Sequence, residues 1–452
     1  MSILNVNKIN PVGGGSTITI AGIASVTNNI SVGNSVTAGS FVGPIEGAVT
    51  GNVTGNVTGN VTGNVTGDAT GLSGNPSINT TGIVTATAFV PTTGQLSHRN
   101  IIINGAMQVA QRGTSTVGLS SPGPAVVDRM YLNYSGTDDS PTFAQVDVAS
   151  GTTPYTLGFR KSLKITNGNQ TSGAGTSDTI LIQHRLEGQD VAGSGWNYLS
   201  TSSNITLSFW VKSSVAQNFY FALISQSGTQ KNFPMETGSL SADTWTKITK
   251  TIPGNSGITI NNDNALGLYF EFMLFRGTDQ TGSVNLNEWS TYSGSARTPD
   301  NTSTWYTTND ATWEITGLQL EVGPVATPFE HRSFSDELRR CQRYYFRFTP
   351  SNNGFYGVGN IDGGNQSQIL VTFPTEMRTK PTSIETTGSA SNYILRVTSN
   401  VTCTSVPQLD NTTTTNALVV PYASSHGFTD KSGAFLRANG DASYLGFAGA
   451  EL

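Results

Sequence analysis

From residue 162 onward, apolar and polar positions alternate with a period of two, the pattern of strands that bury one face. Ser162-Leu163-Lys164-Ile165 and Thr179-Ile180-Leu181-Ile182 read as strands. So do Ile205 to Val211, Phe219 to Ile224, Trp245 to Ile252, Leu268 to Phe275 and Trp313 to Val322, with turn-rich stretches between them. Many short strands without a helical period predict an antiparallel β-sandwich or jelly roll over residues 98–333. Alternation also assigns faces. Ile205, Leu207, Phe209 and Val211 make one core row; Leu268, Phe270, Phe272 and Leu274 make another, and Phe219, Phe221 and Leu223 a third.

One segment has a helical period. Ser333-Phe334-Ser335-Asp336 fits a capping-box start, and Leu338, Cys341, Tyr345 and Phe348 then fall on one stripe. This predicts a connecting helix over 334–348, with Cys341 as a small buried hydrophobe. Beyond it, Ile369 to Phe373, Tyr393 to Val397, Ala417 to Val420 and Phe435 to Ala438 predict a small β domain over 349–452.

The first 97 residues follow other rules. Residues 1–48 hold short strand patterns such as Thr17-Ile18-Thr19-Ile20 but too little apolar surface for a core of their own. Residues 49–71 repeat Val-Thr-Gly-Asn almost without error, and a transition segment runs on to residue 97. A period of four is neither collagen-like nor helical, but it is commensurate with a strand. Three identical chains could bury Val49, Val53, Val57, Val61, Val65 and Ala69 as the core of a shaft. The other reading is a flexible Gly/Thr/Asn linker.

Composition narrows the function. Charged residues are 12% of the chain, against about 25% in an average protein. The net charge is −5 and no basic stripe is present, which speaks against nucleic acid as a partner. No apolar run is long enough for a membrane span, and the N-terminus lacks the pattern of a secretory signal. Two cysteines make no disulfide framework, and the four histidines are scattered, so neither metal nor cofactor is expected. Asp138-Asp139 reads as a solvated turn. All six Trp lie between residues 196 and 313, so the sandwich is where a self-sufficient core is expected.

Two stretches resemble tailed-phage fibre proteins, especially those of cyanobacterial phages. The first is Asn104-Gly105-Ala106-Met107-Gln108-Val109-Ala110-Gln111-Arg112-Gly113, with Val127-Asp128-Arg129 after it. The second is Ile315 to Gly323, continuing through Ala326-Thr327-Pro328-Phe329-Glu330-His331-Arg332 to Cys341-Gln342-Arg343-Tyr344-Tyr345. The closing Gly446 to Leu452 is similar too. The resemblance implies a homotrimer made in the host cytoplasm and built into the virion, with residues 1–48 as the virion-attachment segment, other tail, baseplate or neck proteins as partners and distal domains facing the host. Leu207-Ser208-Phe209-Trp210-Val211-Lys212-Ser213 is similar to jelly-roll carbohydrate-binding modules, which implies host-surface polysaccharide as a ligand.

Sugars stack on flat aromatic faces, and two groups of residues could supply them. Trp196 with Tyr198 and Trp289 with Tyr292 lie in Gly/Ser/Asn-rich loops, where recognition residues concentrate. Trp210, Tyr220, Tyr269 and Glu271 point away from the core rows and would share a second face if their strands are neighbours. That face could instead pack against a subunit or a covering loop. His331, between Glu330 and Arg332, is expected to be a hydrogen-bonded residue locking the sandwich to the helix. No catalytic motif and no β-helix repeat is visible, so an enzyme is not expected. A tail fibre for host adsorption is the leading expectation; a purely structural capsid or collar fibre and a polysaccharide depolymerase are the alternatives.

Overall fold

The computed structural model describes residues 97–452 apart from 117–122, 125, 364 and 425–427. Segment 1–48 and the expected shaft core of Val49, Val53, Val57, Val61, Val65 and Ala69 lie outside the described residues. The chain divides into two units, Met1–Thr85 and Ala86–Leu452, and the second is the one described.

It is a mainly β structure. Two antiparallel sheets form a sandwich, and the chain crosses between them as in a jelly roll. The first runs in the order Ser115–Thr116, Thr142–Asp147, Lys161–Thr166, Thr312–Val322, Asn204–Ser213, Thr246–Pro253. The second runs Ser290–Thr291, Lys231–Ser239, Asn218–Ser225, Leu266–Arg276, Thr179–Glu187, Met130–Ser135, Gly123–Pro124. The core rows read from alternation are buried between the sheets: Phe209 of the first lies 5.2 Å from both Phe221 and Phe272 of the second, edge-on in each case. Met130–Ser135, Thr142–Asp147 and Lys231–Ser239 are strands that the alternation did not mark.

A second core follows. Phe346–Phe348, Leu445–Ala448 and Ser383–Thr386 make a small sheet against a larger one. The larger runs Asn400–Thr402, Tyr393–Arg396, Gly433–Ala438, Phe355–Asp362, Gln366–Thr372, Asn416–Tyr422, Ser405–Thr412. Tyr356, Ile361, Ile369, Val371, Tyr393, Leu436 and Phe447 pack between them.

The connecting helix is shorter than its stripe predicts. It spans Phe334–Gln342, and the Ser333 hydroxyl accepts from the Asp336 amide at 3.2 Å, as the capping box requires. Arg343 follows as the C-cap, and the next residues leave the helix because Phe346–Phe348 pairs with Leu445–Ala448. The apolar stripe was real, but its second half belongs to a strand. Cys341 is 1% exposed, and burial pushes its thiol well above the ordinary range. Three shorter helical turns, Thr153–Thr156, Gly188–Ala192 and Thr304–Thr307, connect strands of the sandwich.

The stretches from Asn104 to Arg129 and from Ile315 to Tyr345 meet at this junction. Asn104, left-handed at φ 62°, donates its side-chain amide to the carbonyls of Val109 and Asp128, both at 2.9 Å, and its backbone amide to Glu337 at 2.6 Å. Gln111 bonds the Tyr345 carbonyl at 2.8 Å. Arg129 lies 3.4 Å from the Tyr344 ring centre and Arg112 3.5 Å from that of Tyr345. Glu187, 0% exposed, takes a two-pronged bond from Arg343 at 2.7 and 2.8 Å and another from the Tyr344 hydroxyl.

Three buried groups tie this stability to pH. Burial, followed by the charge of Arg129, holds His184 well below its ordinary range, and neither ring nitrogen has a hydrogen-bond partner. It folds neutral, so its contribution is present above about pH 6.5 and is lost as pH falls. Burial alone would raise Glu187, but the bonds from Arg343 and Tyr344 outweigh it and keep the carboxylate below its usual range. Its contribution likewise disappears on acidification, at lower pH. Burial raises Asp128 to about 6 against the bonds from Gln111, so it works with the opposite sign and adds stability as pH falls from 6 toward 4. His184→Leu is expected to flatten the loss of stability below pH 6.5, where one histidine accounts for at most about 1.4 kcal/mol per pH unit. Urea melts of both proteins at pH 7.5 and 5.5 measure this; an equal loss in both would refute it.

Candidate functional site

Of the two outer faces of the sandwich, one is closed. In the second sheet Tyr269 and Glu271 lie beside Ile224 and Ala222, with Tyr220 opposite Met273, so these strands are neighbours as expected. Trp210 is on the other sheet, and the expected four-residue face therefore splits. Residues 281–300 fold back over the Tyr269 side. Tyr292 packs on Tyr269 and Met273, Arg297 reaches Glu271 at 3.6 Å, and Asn232 holds the Arg297 carbonyl at 2.8 Å. Beneath them Glu271 pairs with Arg276 and accepts from Gln183 at 2.7 Å, each of these three less than 9% exposed. Tyr269, 9% exposed, is covered by that loop and offers no stacking face.

The loop aromatics are also used internally. Trp196 is 3% exposed and its indole N–H bonds the Ser203 carbonyl at 3.2 Å, so it is a core residue and no sugar platform. Half-buried Tyr198 lies edge-on to it, ring centres 6.1 Å apart. Trp289 packs on Phe233 at 5.2 Å and bonds the Pro253 carbonyl at 2.7 Å. Half-buried Tyr292 sits under Arg297, and half-buried Tyr220 near Glu236. The structure thus pairs Trp196 with Tyr198 and Tyr269 with Tyr292, but assembles no common site from the seven. Asp138 accepts the Ser172 amide at 2.6 Å and closes an exposed turn.

The other outer face is open and centred on Trp210. Phe209 and Val211 point into the core, so alternation turns Trp210 outward with Ser208 and Lys212. Lys247 of the edge strand sits directly opposite Trp210 in register. On the other side the Thr312–Val322 strand bulges between Thr316 and Gln319. Gly317 makes that bulge with φ 64°, and an added Cβ there would stand 2.7 Å from the Phe159 ring. Past the strand, residues 326–331 return over the bulge. The Thr327 amide and hydroxyl bond Glu321 at 2.8 and 2.6 Å, and the Glu330 amide bonds Gln319 at 2.8 Å.

These pieces enclose a cavity of about 410 Å³, within the range of small-ligand sites. Phe159, Phe329 and His331 form its wall: Phe329 is edge-on to Phe159 at 4.9 Å, and His331 is 4.9 and 5.2 Å from the two rings. His331 Nε2 lies 2.9 Å from the Leu157 carbonyl, and since a carbonyl only accepts, that nitrogen carries the proton. His331 is hydrogen-bonded as expected, but to the turn before Phe159. Arg332, next to it, does tie the sandwich to the helix, through the carbonyls of Asn100 and Ile102 and the Glu337 carboxylate. Trp210, Leu157 and Pro328 complete the apolar lining; Ser208, Lys247 and Thr327 supply polar groups. Beyond Trp210, Lys212 bonds Glu314 at 2.9 Å and lies 5.2 Å from the Trp245 ring. Two other hollows, about 250 and 550 Å³, border His98, Arg332 and Arg340 and have no aromatic ring other than histidine in their walls.

Sequence reasoning found Trp210 and assigned His331 only a structural part; it missed Phe159, Phe329 and Lys247. Lys247 was visible in the alternation Lys247-Thr249-Thr251 against Ile248 and Ile252. Phe159 lies in a loop with no pattern around it, and no local signal could have found it.

No family model matches this chain, and no curated protein matches it. Solved structures overlap parts of it. The enzymatically active domain of bacteriophage CBA120 tailspike protein 4 matches at 13% identity and a TM-score of 0.26, over 49% of this chain and 21% of that one. The chain thus spans about a fifth of that tailspike domain. A CBM4 structure matches at 12% identity and a TM-score of 0.25, over 49% of this chain and 99% of that one. The CBM22-1-CBM22-2 tandem domain of Paenibacillus barcinonensis Xyn10C matches at 10% identity and a TM-score of 0.25, over 80% and 99%. Likenesses of this size assign neither family nor function to this chain.

Gly317→Ala is expected to cost roughly 1–3 kcal/mol, the usual penalty for a side chain held at positive φ, and to displace Phe159 from the cavity wall. Thermal unfolding together with tryptophan fluorescence reports both; an unchanged melt and spectrum would refute it.

Proposed function

We propose that the chain is a homotrimeric tail-fibre protein of a tailed phage that adsorbs to host-surface glycans, without cutting them, through the groove at Trp210. The observation that carries this reading is the open cavity itself. It presents one half-buried Trp among apolar walls with a few polar groups, the composition of a site that stacks a sugar ring and orients its hydroxyls. No aspartate or glutamate lines it, and hydrolysis by a carboxylate pair needs two. The fibre reading draws on the stretches from Asn104 to Arg129 and from Ile315 to Tyr345 that resemble phage fibres, and on the Val-Thr-Gly-Asn repeat. Binding at each groove would be weak, and three copies per fibre would multiply it.

An exposed apolar face supports the trimer part of this reading. Phe355, Val358, Leu370 and Phe435 are 41–55% exposed on one face of the C-terminal sheet. Val358 pairs with both Leu370 and Phe435, and the rings of Phe355 and Phe435 lie 5.3 Å apart. A contiguous apolar patch of this kind marks an interaction surface. The Val-Thr-Gly-Asn repeat, read as a three-chain shaft, makes further copies of this chain the fitting occupant.

Two experiments follow. Trp210→Ala should weaken binding of the purified fibre to host cells or isolated surface glycan by roughly tenfold per site, with unchanged folding; wild-type adsorption in the variant would remove the groove from the reading. Phe435→Lys with Val358→Lys should shift a trimer toward monomer in light scattering; a monomeric wild-type protein would refute the trimer.

A further inference from the structure

We propose that the Trp210 groove recognises an acidic sugar, with a carboxylate or sulfate ester on Lys247 and the ring face on Trp210. This deepens the adsorption reading and rests on it. Lys247 stands opposite Trp210 in register on an edge strand, so its ammonium and the indole address the same space. It is exposed and has neither a hydrogen bond nor an ion pair. The Ser208 hydroxyl, two residues before Trp210, lines the same cavity and has no partner either. Together they offer a charge and a neutral donor at one end of a stacking platform.

The surrounding charges favour an anion. Although the chain carries a net charge of −5, the cavity wall holds no acid. Two carboxylates of the adjoining strand are already engaged. Glu314 is bonded by Lys212 and by Ser162, and Glu321 is sealed under the Thr327 amide and hydroxyl. Lys164 adds a further positive charge beside Glu314 in register. An anionic group entering the cavity therefore meets an unpaired ammonium and no carboxylate in the wall, whereas a neutral sugar would offer that ammonium hydroxyl acceptors but no opposite charge.

The test measures binding of the full chain to three soluble polymers by affinity electrophoresis at low and high salt. Dextran is neutral, alginate carries carboxylates and dextran sulfate carries sulfate esters. Tighter binding to one or both acidic polymers than to dextran is expected, and whichever is preferred identifies the anionic group. Lys247→Gln should weaken that binding by roughly tenfold or more, as for a lost charged hydrogen bond, and Lys247→Arg should retain most of it. Lys431→Gln, removing an exposed lysine of the C-terminal domain, should change nothing. Dextran bound as tightly as the acidic polymers, no binding to either acidic polymer, or wild-type binding by Lys247→Gln would each overturn the proposal. Trp210→Ala separates the two readings: if it loses binding where Lys247→Gln keeps it, only the acidic assignment falls; if it too keeps binding, the groove falls with it.

Discussion

The carboxylate of Glu187 decides how the two β cores meet. It ends the Thr179–Glu187 strand of the sandwich with no exposure to solvent, and the three bonds that neutralise it come from Arg343 and Tyr344, just past the helix. A buried charge without its partner costs roughly 3–5 kcal/mol, so the chain after Gln342 has one favourable placement. From that placement the rest follows. Arg129 and Arg112 stack on Tyr344 and Tyr345, and Arg112 ion-pairs with Glu385 and Glu451. Arg378 holds the carbonyls of Ala450 and Glu451 and reaches the sandwich at Asn264. The C-terminal Leu452 carbonyl is bound by Arg185.

This network gives the stretches from Asn104 to Arg129 and from Ile315 to Tyr345 a structural role. Asn104, Gln111, Asp128, Arg129, Arg343, Tyr344 and Tyr345 all build the junction, and none lines the groove. The run from Ala326 to His331 does line the groove, and the bonds that Thr327 and Glu330 donate to Glu321 and Gln319 hold that wall in place. A protein assembled this way can change the groove's other side, at Lys247 or Leu157, without disturbing how its cores are joined.

Much of the fold was legible. Every strand nominated by alternation in the sandwich exists, because a half-buried strand writes its inside and outside into the sequence at every second position. The helix start was legible from Ser333 and Asp336, and its end was not. Tyr345 and Phe348 continue the helical spacing of Leu338 and Cys341, and the pairing of Phe346–Phe348 with Leu445–Ala448, about 100 residues on, ends the helix before them. The groove was legible in one residue of its wall.

Trp210 and Tyr269 show the division. The sequence alone determined that both side chains turn away from their core rows, since a period of two is a local property of the backbone. It could not determine which sheet each strand joins, because that depends on hydrogen-bond partners scores of residues away. Tertiary structure placed Tyr269 beneath residues 281–300 and beside a buried Glu271–Arg276 pair, and left Trp210 facing solvent next to Lys247. Two aromatic residues with the same local pattern thus became a core contact and the wall of an open cavity, according to which loop came back over which sheet.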